Sequence, residues 1–140
     1  MTSLILVSRL RRAYWPRWCR LIRLDAVRRS APIAQYVDEH DPRRRNRFGS
    51  DGRICSVNRY DRGRIRYFMD EIEAGREIEP IHVDVEWDPG WTKPLGPCID
   101  DGHHRYMAAV LLRRRRVPAT FTGPDELRGW LVGERRRWPL

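Results

Sequence analysis

The sequence predicts an α+β fold, a small mixed sheet packed with helices and preceded by a basic N-terminal extension. Three observations carry this expectation. Ile81, Val83, Val85 and Trp87 alternate with His82, Asp84, Glu86 and Asp88, the period-two signature of a half-buried strand. Ile65, Phe68, Met69 and Ile72 fall at i, i+3, i+4 and i+7, one face of a helix. From Cys98 to Phe121 the chain reads as strand, glycine turn, apolar helix and strand, a compact unit that is right-handed if its strands are parallel. A length of 140 residues leaves room for one domain with a modest core. The expected segments are a basic extension and loop over residues 1–52, a core over 53–123, and a short helix with a basic tail over 124–140.

In order along the chain, residues 1–30 mix eight arginines with Leu4, Leu6, Leu10, Trp15, Trp18, Leu21, Ile22 and Leu24. This basic amphipathic pattern predicts helix on either side of Pro16, which interrupts a continuous helix. Such a segment suits a membrane surface or nucleic acid, or simply covers the domain. Residues 41–52, rich in Arg, Gly, Ser and Asp, read as an exposed loop, and residues 54–57 as a short strand. Asn58 caps the helix bearing the Ile65 face, and Gly75 stops it. Glu79-Pro80 leads into the alternating strand. Pro89, Gly90, Pro94 and Gly96 make residues 88–97 a turn or long loop with Trp91 and Lys93 exposed, and Cys98-Ile99 a brief strand. Met107, Ala108, Val110, Leu111 and Leu112 make the next helix apolar over most of its circumference, hence largely buried. Arg113 to Arg116 place positive charge at its favourable C-terminal end. Residues 117–121 form the last strand. Pro124 opens a short helix ending near Gly133, and Arg135, Arg136, Arg137 and Trp138 make a basic terminus.

Of 28 basic residues, 27 are arginine and only Lys93 is lysine, and with 19 acidic residues the net charge is +9. That balance attracts polyanions, whether nucleic acid or an anionic surface, although a GC-rich coding sequence alone also enriches arginine. Cys19, Cys55 and Cys98 are odd in number and lack C-x-x-C spacing, which argues against a disulfide framework or a cysteine-rich zinc site and favours a reducing cytoplasm. Leu4-Ile5-Leu6-Val7 is too short for a secretory apolar region, and no segment is long enough to span a bilayer.

The chemistry concentrates in Asp100-Asp101-Gly102-His103-His104-Arg105. A glycine turn here runs into a helix, placing His103, His104, Arg105 and backbone N–H groups where the helix dipole favours a bound anion. Glu79-Pro80-Ile81-His82-Val83, followed about twenty residues later by Ile99-Asp100-Asp101-Gly102-His103-His104-Arg105-Tyr106-Met107-Ala108-Ala109, resembles the core of the ParB/sulfiredoxin superfamily. Val117-Pro118 introduces the closing strand as that pattern requires. The resemblance covers residues 54–122 and implies a small α+β fold whose G-x-x-R turn holds nucleotide phosphates, so a nucleoside triphosphate, with Mg²⁺, is the implied ligand. Carried onto this sequence, Gly102 permits close backbone approach, His103 and His104 donate to phosphate oxygens, and Arg105 neutralises charge bidentately. Asp101 flanks them, Asp100 or Asp101 holds Mg²⁺ or orients a histidine, and Glu79 to His82 lie beside the site. The departures matter too. Sulfiredoxin's reactive cysteine is replaced by His103, and the twenty or so residues after Phe121 are too few for the DNA-reading and dimerisation regions of partition proteins.

Other readings stand beside this one. His103 and His104 with Asp100 and Asp101 form a metal cluster, or Asp101 simply caps the helix while Arg105 pairs with a carboxylate. The expected activity is nucleotide binding, with NTP hydrolysis or phosphoryl transfer as its catalytic form. The alternative is a phage- or plasmid-type nucleic-acid-binding module that grips DNA or RNA through residues 1–30, 43–47 and 135–137, or a ParB-like nuclease.

Overall fold

A computed structural model describes residues 1–38, 41 and 57–140. In chain order the elements are β1 (Ser3–Leu6), α1 (Val7–Ala13), α2 (Arg17–Arg20), α3 (Leu24–Arg28), α4 (Arg59–Glu73), β2 (Ile81–Trp87), β3 (Pro94–Asp101), α5 (His103–Leu111), β4 (Arg116–Phe121) and α6 (Asp125–Val132). They fall into two compact units, residues 1–14 with 78–140, and residues 15–77. These units are drawn differently from the sequence segments, because residues 1–14 join the sheet and α4 lies with the residues before it.

The first unit is built on a four-stranded sheet of order β1-β4-β2-β3. Here β1 runs antiparallel to β4, β2 parallel to β4, and β3 antiparallel to β2. The sheet is therefore mixed and the fold α+β, as the patterning predicts. Ile81, Val83 and Val85 are buried while His82 and Asp84 are only half-buried, so the alternation in sequence is the alternation of faces in β2. Helix α5 packs on β2 and β4, and α6 on β1. Ile5, Ile81, Val83, Val117, Tyr106, Met107, Leu127 and Leu131 close the core between them. Burying an aliphatic side chain of this kind contributes roughly 1.5–3 kcal/mol.

Two elements differ from expectation. Ser3–Leu6, assigned by sequence to the basic extension, forms β1, with Ile5 opposite Val117 and fully buried. A four-residue apolar run carries no periodicity that separates strand from helix. β3 begins at Pro94 rather than Cys98. Two prolines fit there because β3 is an edge strand with β2 as its one neighbour, and an outward-facing nitrogen needs no ladder partner. The loop before it is shorter than expected and is held by Asp88, whose carboxylate accepts from the Thr92 N–H (2.6 Å), the Lys93 N–H (2.8 Å) and the Thr92 hydroxyl (2.7 Å). Those bonds, led by the Thr92 side chain, hold the exposed carboxyl below its ordinary pKa. Trp91 and Lys93 are exposed on this loop, as expected.

In the second unit α4 starts with a reciprocal capping box: Asn58 Oδ1 accepts from the Asp61 N–H at 2.9 Å, and Asp61 accepts from the Asn58 N–H at 3.3 Å. Ile65 and Met69 are fully buried, and Gly75 follows the helix at φ +76°. Arg64 is buried beneath the chain, donating to the carbonyls of Ile33 (3.1 Å) and Ala34 (2.5 Å) while its guanidinium lies 4.6 Å from the Phe68 ring centroid. Pro16 stands at the start of α2, so helix does form on both sides of it. The loop predicted over residues 41–52 and the strand over 54–57 lie outside the described residues, apart from Asp41 and Val57. Among the described residues no helix is long and apolar enough to cross a membrane.

Candidate functional site

The turn between β3 and α5 is specified by glycine for two separate reasons. Gly102 stands at φ +97°, a backbone conformation unfavourable to L side chains, and a Cβ there would lie 2.8 Å from Ile81 Cγ2 and 3.0 Å from Ile81 Cα. The backbone thus rests directly on the start of β2. The first intrahelical bond runs from the Tyr106 N–H to the Gly102 carbonyl at 2.9 Å. Gly102 as N-cap offers no side-chain acceptor, and the first turn of α5 carries no acidic residue.

The predicted site residues fall into three small groups. Arg105, 11% exposed at its side chain, donates through one nitrogen to the carbonyls of Glu79 (2.9 Å) and Pro80 (2.7 Å), and through the other to Asp101 Oδ2 (3.4 Å). The Glu79 carboxylate is further off, at 3.9 Å. The structure therefore brings Glu79, Asp101 and Arg105 together, as a clasp between the approach to β2 and the first turn of α5. The expected bidentate contact of Arg105 with phosphate is not how this guanidinium is disposed, since its donors already meet the protein's own oxygens.

The second group lies on the opposite face of the sheet from α5, where His82 stands between Asp100 and Thr122. Its Nδ1 is 2.5 Å from Asp100 Oδ1 and its Nε2 is 2.9 Å from Thr122 Oγ1. Asp100 thus orients a histidine, one of the two roles expected of it. Carboxylate, imidazole and hydroxyl in series can pass a proton from Oγ1 to Nε2, the carboxylate holding the Nδ1–H tautomer. In the third group the His103 Nε2 and the Tyr14 hydroxyl share a 2.9 Å hydrogen bond, and the Tyr106 hydroxyl donates to the Tyr14 carbonyl at 3.4 Å. His104 is half-buried at the second helical position.

Tyr14 and Thr122 had no signal in sequence. One comes from 89 residues before His103, and the other follows β4 in a stretch with no motif of its own. The carboxylates do not fit a protein-held Mg²⁺: Asp100 is turned to His82, Asp101 to Arg105, and no group of three His, Cys, Asp or Glu suited to a metal occurs among the described residues. Burial, reinforced by Asp84, Glu86 and Asp100, pushes the Cys98 thiol up to about 11, and burial pushes Cys19 up to about 12.

Neither the family models, nor the curated proteins, nor the solved structures contain a match to this chain.

Proposed function

We propose that this chain binds the phosphates of a nucleotide at the N-terminus of α5, on a ParB/sulfiredoxin-like core. The observation that carries the reading is the make-up of the helix start: a left-handed glycine seated on Ile81, no acidic residue in the first turn, and two histidines in its place. Backbone N–H groups at such a position are donors already fixed in direction, and the dipole adds favourable potential for an anion. The order α4, β2, β3, α5, β4 also follows the superfamily pattern that the motifs resemble.

Within this reading each residue has a definite part. Gly102 lets phosphate approach the backbone, and the N–H groups of the first turn with the His103 and His104 side chains supply donors. Arg105 is a positioning residue: it fixes α5 against the approach to β2 and offsets the Asp101 charge beside the turn. Asp100 holds His82 on the sheet. The ligand class is a nucleoside di- or triphosphate, bound without a protein-held metal.

The test is a thermal-shift screen against nucleoside di- and triphosphates, followed by calorimetry on any that bind. A ligand selective for the folded state adds about 2.7 kcal/mol of stability at a hundred times its Kd. His104→Ala is expected to reduce the shift measured from the variant's own unliganded Tm. No shift with any nucleotide at millimolar concentration overturns the reading.

A further inference from the structure

Residues from both arginine-rich ends of the chain meet around an open hollow of about 290 Å³, lined by Arg12 and Ala13 at the end of α1, Trp130 on α6, and Arg136 and Trp138 beyond it. Contacts among its lining residues and with Arg9 hold the hollow in shape. Trp130 is buried at 3% exposure, and Trp138, at 41%, stands against it edge to face, centroids 4.8 Å apart and planes at 84°. The far edge of the Trp138 indole lies beside Gly96, where a Cβ would stand at an ordinary contact distance of 3.6 Å from Trp138 Cη2. Arg9 ties the tail down. Its guanidinium lies 5.3 Å from the Trp130 ring centroid and donates to the Trp130 carbonyl and, at 2.5 Å, to the Arg135 carbonyl. Arg12 and Arg136 are different: both are exposed, and neither makes a hydrogen bond or ion pair among the described residues.

We infer that this hollow seats one nucleotide unit of a single-stranded nucleic acid, its base against Trp138 and its phosphates on Arg12 and Arg136. The two unengaged guanidinium groups select an anion and exclude a cation or metal. The half-exposed indole selects a planar ring, since every base has a face to stack and a carboxylate side chain has none. The volume lies at the small end of ligand pockets, roughly 300–1,000 Å³, which suits a single base with its phosphate better than a bulky cofactor. Arg135 and Arg137, exposed in the same tail of a chain with net charge +9, extend the positive surface along which a strand continues. This inference is independent of the nucleotide site at α5 and uses none of its residues.

The experiment titrates the full chain against a fluorescein-labelled twelve-residue oligothymidylate, reading anisotropy over a range of salt. Trp138→Ala is expected to weaken binding roughly 5- to 150-fold, the size of one stacked base, and Trp138→Phe to retain most of it. Arg12→Ala with Arg136→Ala is expected to lower the slope of log K against log salt by about 1.4, two single-strand phosphate contacts. Circular dichroism and Tm of each variant separate a loss of fold from a loss of contact, because a purely structural role leaves the salt slope unchanged. Three results overturn the inference: folded variants that bind like the parent, a duplex of equal phosphate count that binds as tightly, or polyglutamate that competes equally at matched charge. His104→Ala leaves oligothymidylate binding untouched, and a nucleotide thermal shift that survives Trp138→Ala but falls in His104→Ala belongs to α5, so failure of one site is distinguishable from failure of the other.

Discussion

Arg105→Ala tests the clasp between the approach to β2 and α5. The substitution removes a nearly buried guanidinium that donates to two main-chain carbonyls and one carboxylate. A hydrogen bond from a charged donor contributes about 1.5–3 kcal/mol when its partner is sequestered, and less where water can replace the donor. Pro80 is half-buried but Glu79 is exposed, so the two carbonyl bonds together are given about 2–3 kcal/mol rather than their full sum. The Asp101 pair, at 3.4 Å with the carboxylate 73% exposed, adds no more than about 1 kcal/mol. A total near 3 kcal/mol corresponds to a fall in Tm of about 6–12 °C at this chain length. Urea denaturation followed by far-UV circular dichroism measures it, with Arg105→Lys expected to recover part of the loss. A variant within about 0.5 kcal/mol of the parent, the usual range for surface changes, would refute the clasp and return Arg105 to a ligand-facing role.

Three further outcomes are expected. Gly102→Ala combines left-handed strain of about 1–2 kcal/mol with collision against Ile81 Cγ2, Cα and Cβ, so denaturation should show a loss of 2 kcal/mol or more, and a smaller loss would mean that the turn does not rest on Ile81. Asn58→Ala opens the α4 capping box and should cost about 1 kcal/mol in the same assay; no change would mean that the box is not formed in solution. In a Cys55→Ser background, labelling of Cys98 by a disulfide reagent should be slow at pH 8 and climb as pH approaches its value of about 11, whereas a plateau below pH 9 would contradict the burial and carboxylates around it. The sign for stability follows: the unfolded thiol ionises first, near 9, so the contribution of protonated Cys98 is present below that pH and is lost as pH rises toward 11.

Periodic elements were legible in the sequence because burial writes them there. The Ile81 to Val85 alternation, the Ile65 face of α4 and the apolar run of α5 each state which side of the element meets the core, and Asn58, Gly75, Gly102 and Gly133 mark where helices start or stop. β1 was not legible, since Ile5 declares itself only once Val117 is known to lie opposite. Within the site, sequence located the turn and the need for glycine, and Asp100 orienting a histidine was one of the two roles it allowed. It did not show that Arg105 donates to the main-chain carbonyls of Glu79 and Pro80, since no residue type advertises them. The partners Tyr14 and Thr122 are contributed by distant segments through tertiary placement alone. The hollow at Trp138 escaped notice for the same reason: Arg12 and Arg136 were legible as parts of two basic arms, while their meeting depends on α1 and α6 packing in one unit.

The pairing of β1 with β4 has a consequence during synthesis. Ser3 lies beside Ala119, and the Val7 N–H bonds to the Arg115 carbonyl, so β1 leaves the ribosome long before β4, its neighbour in the sheet. Closing so long a loop slows folding relative to a chain whose contacts are local. A nascent chain halted ahead of residue 116 would leave Ile5 without Val117 opposite it, making truncated translation products of this protein natural clients for chaperones that bind short apolar segments.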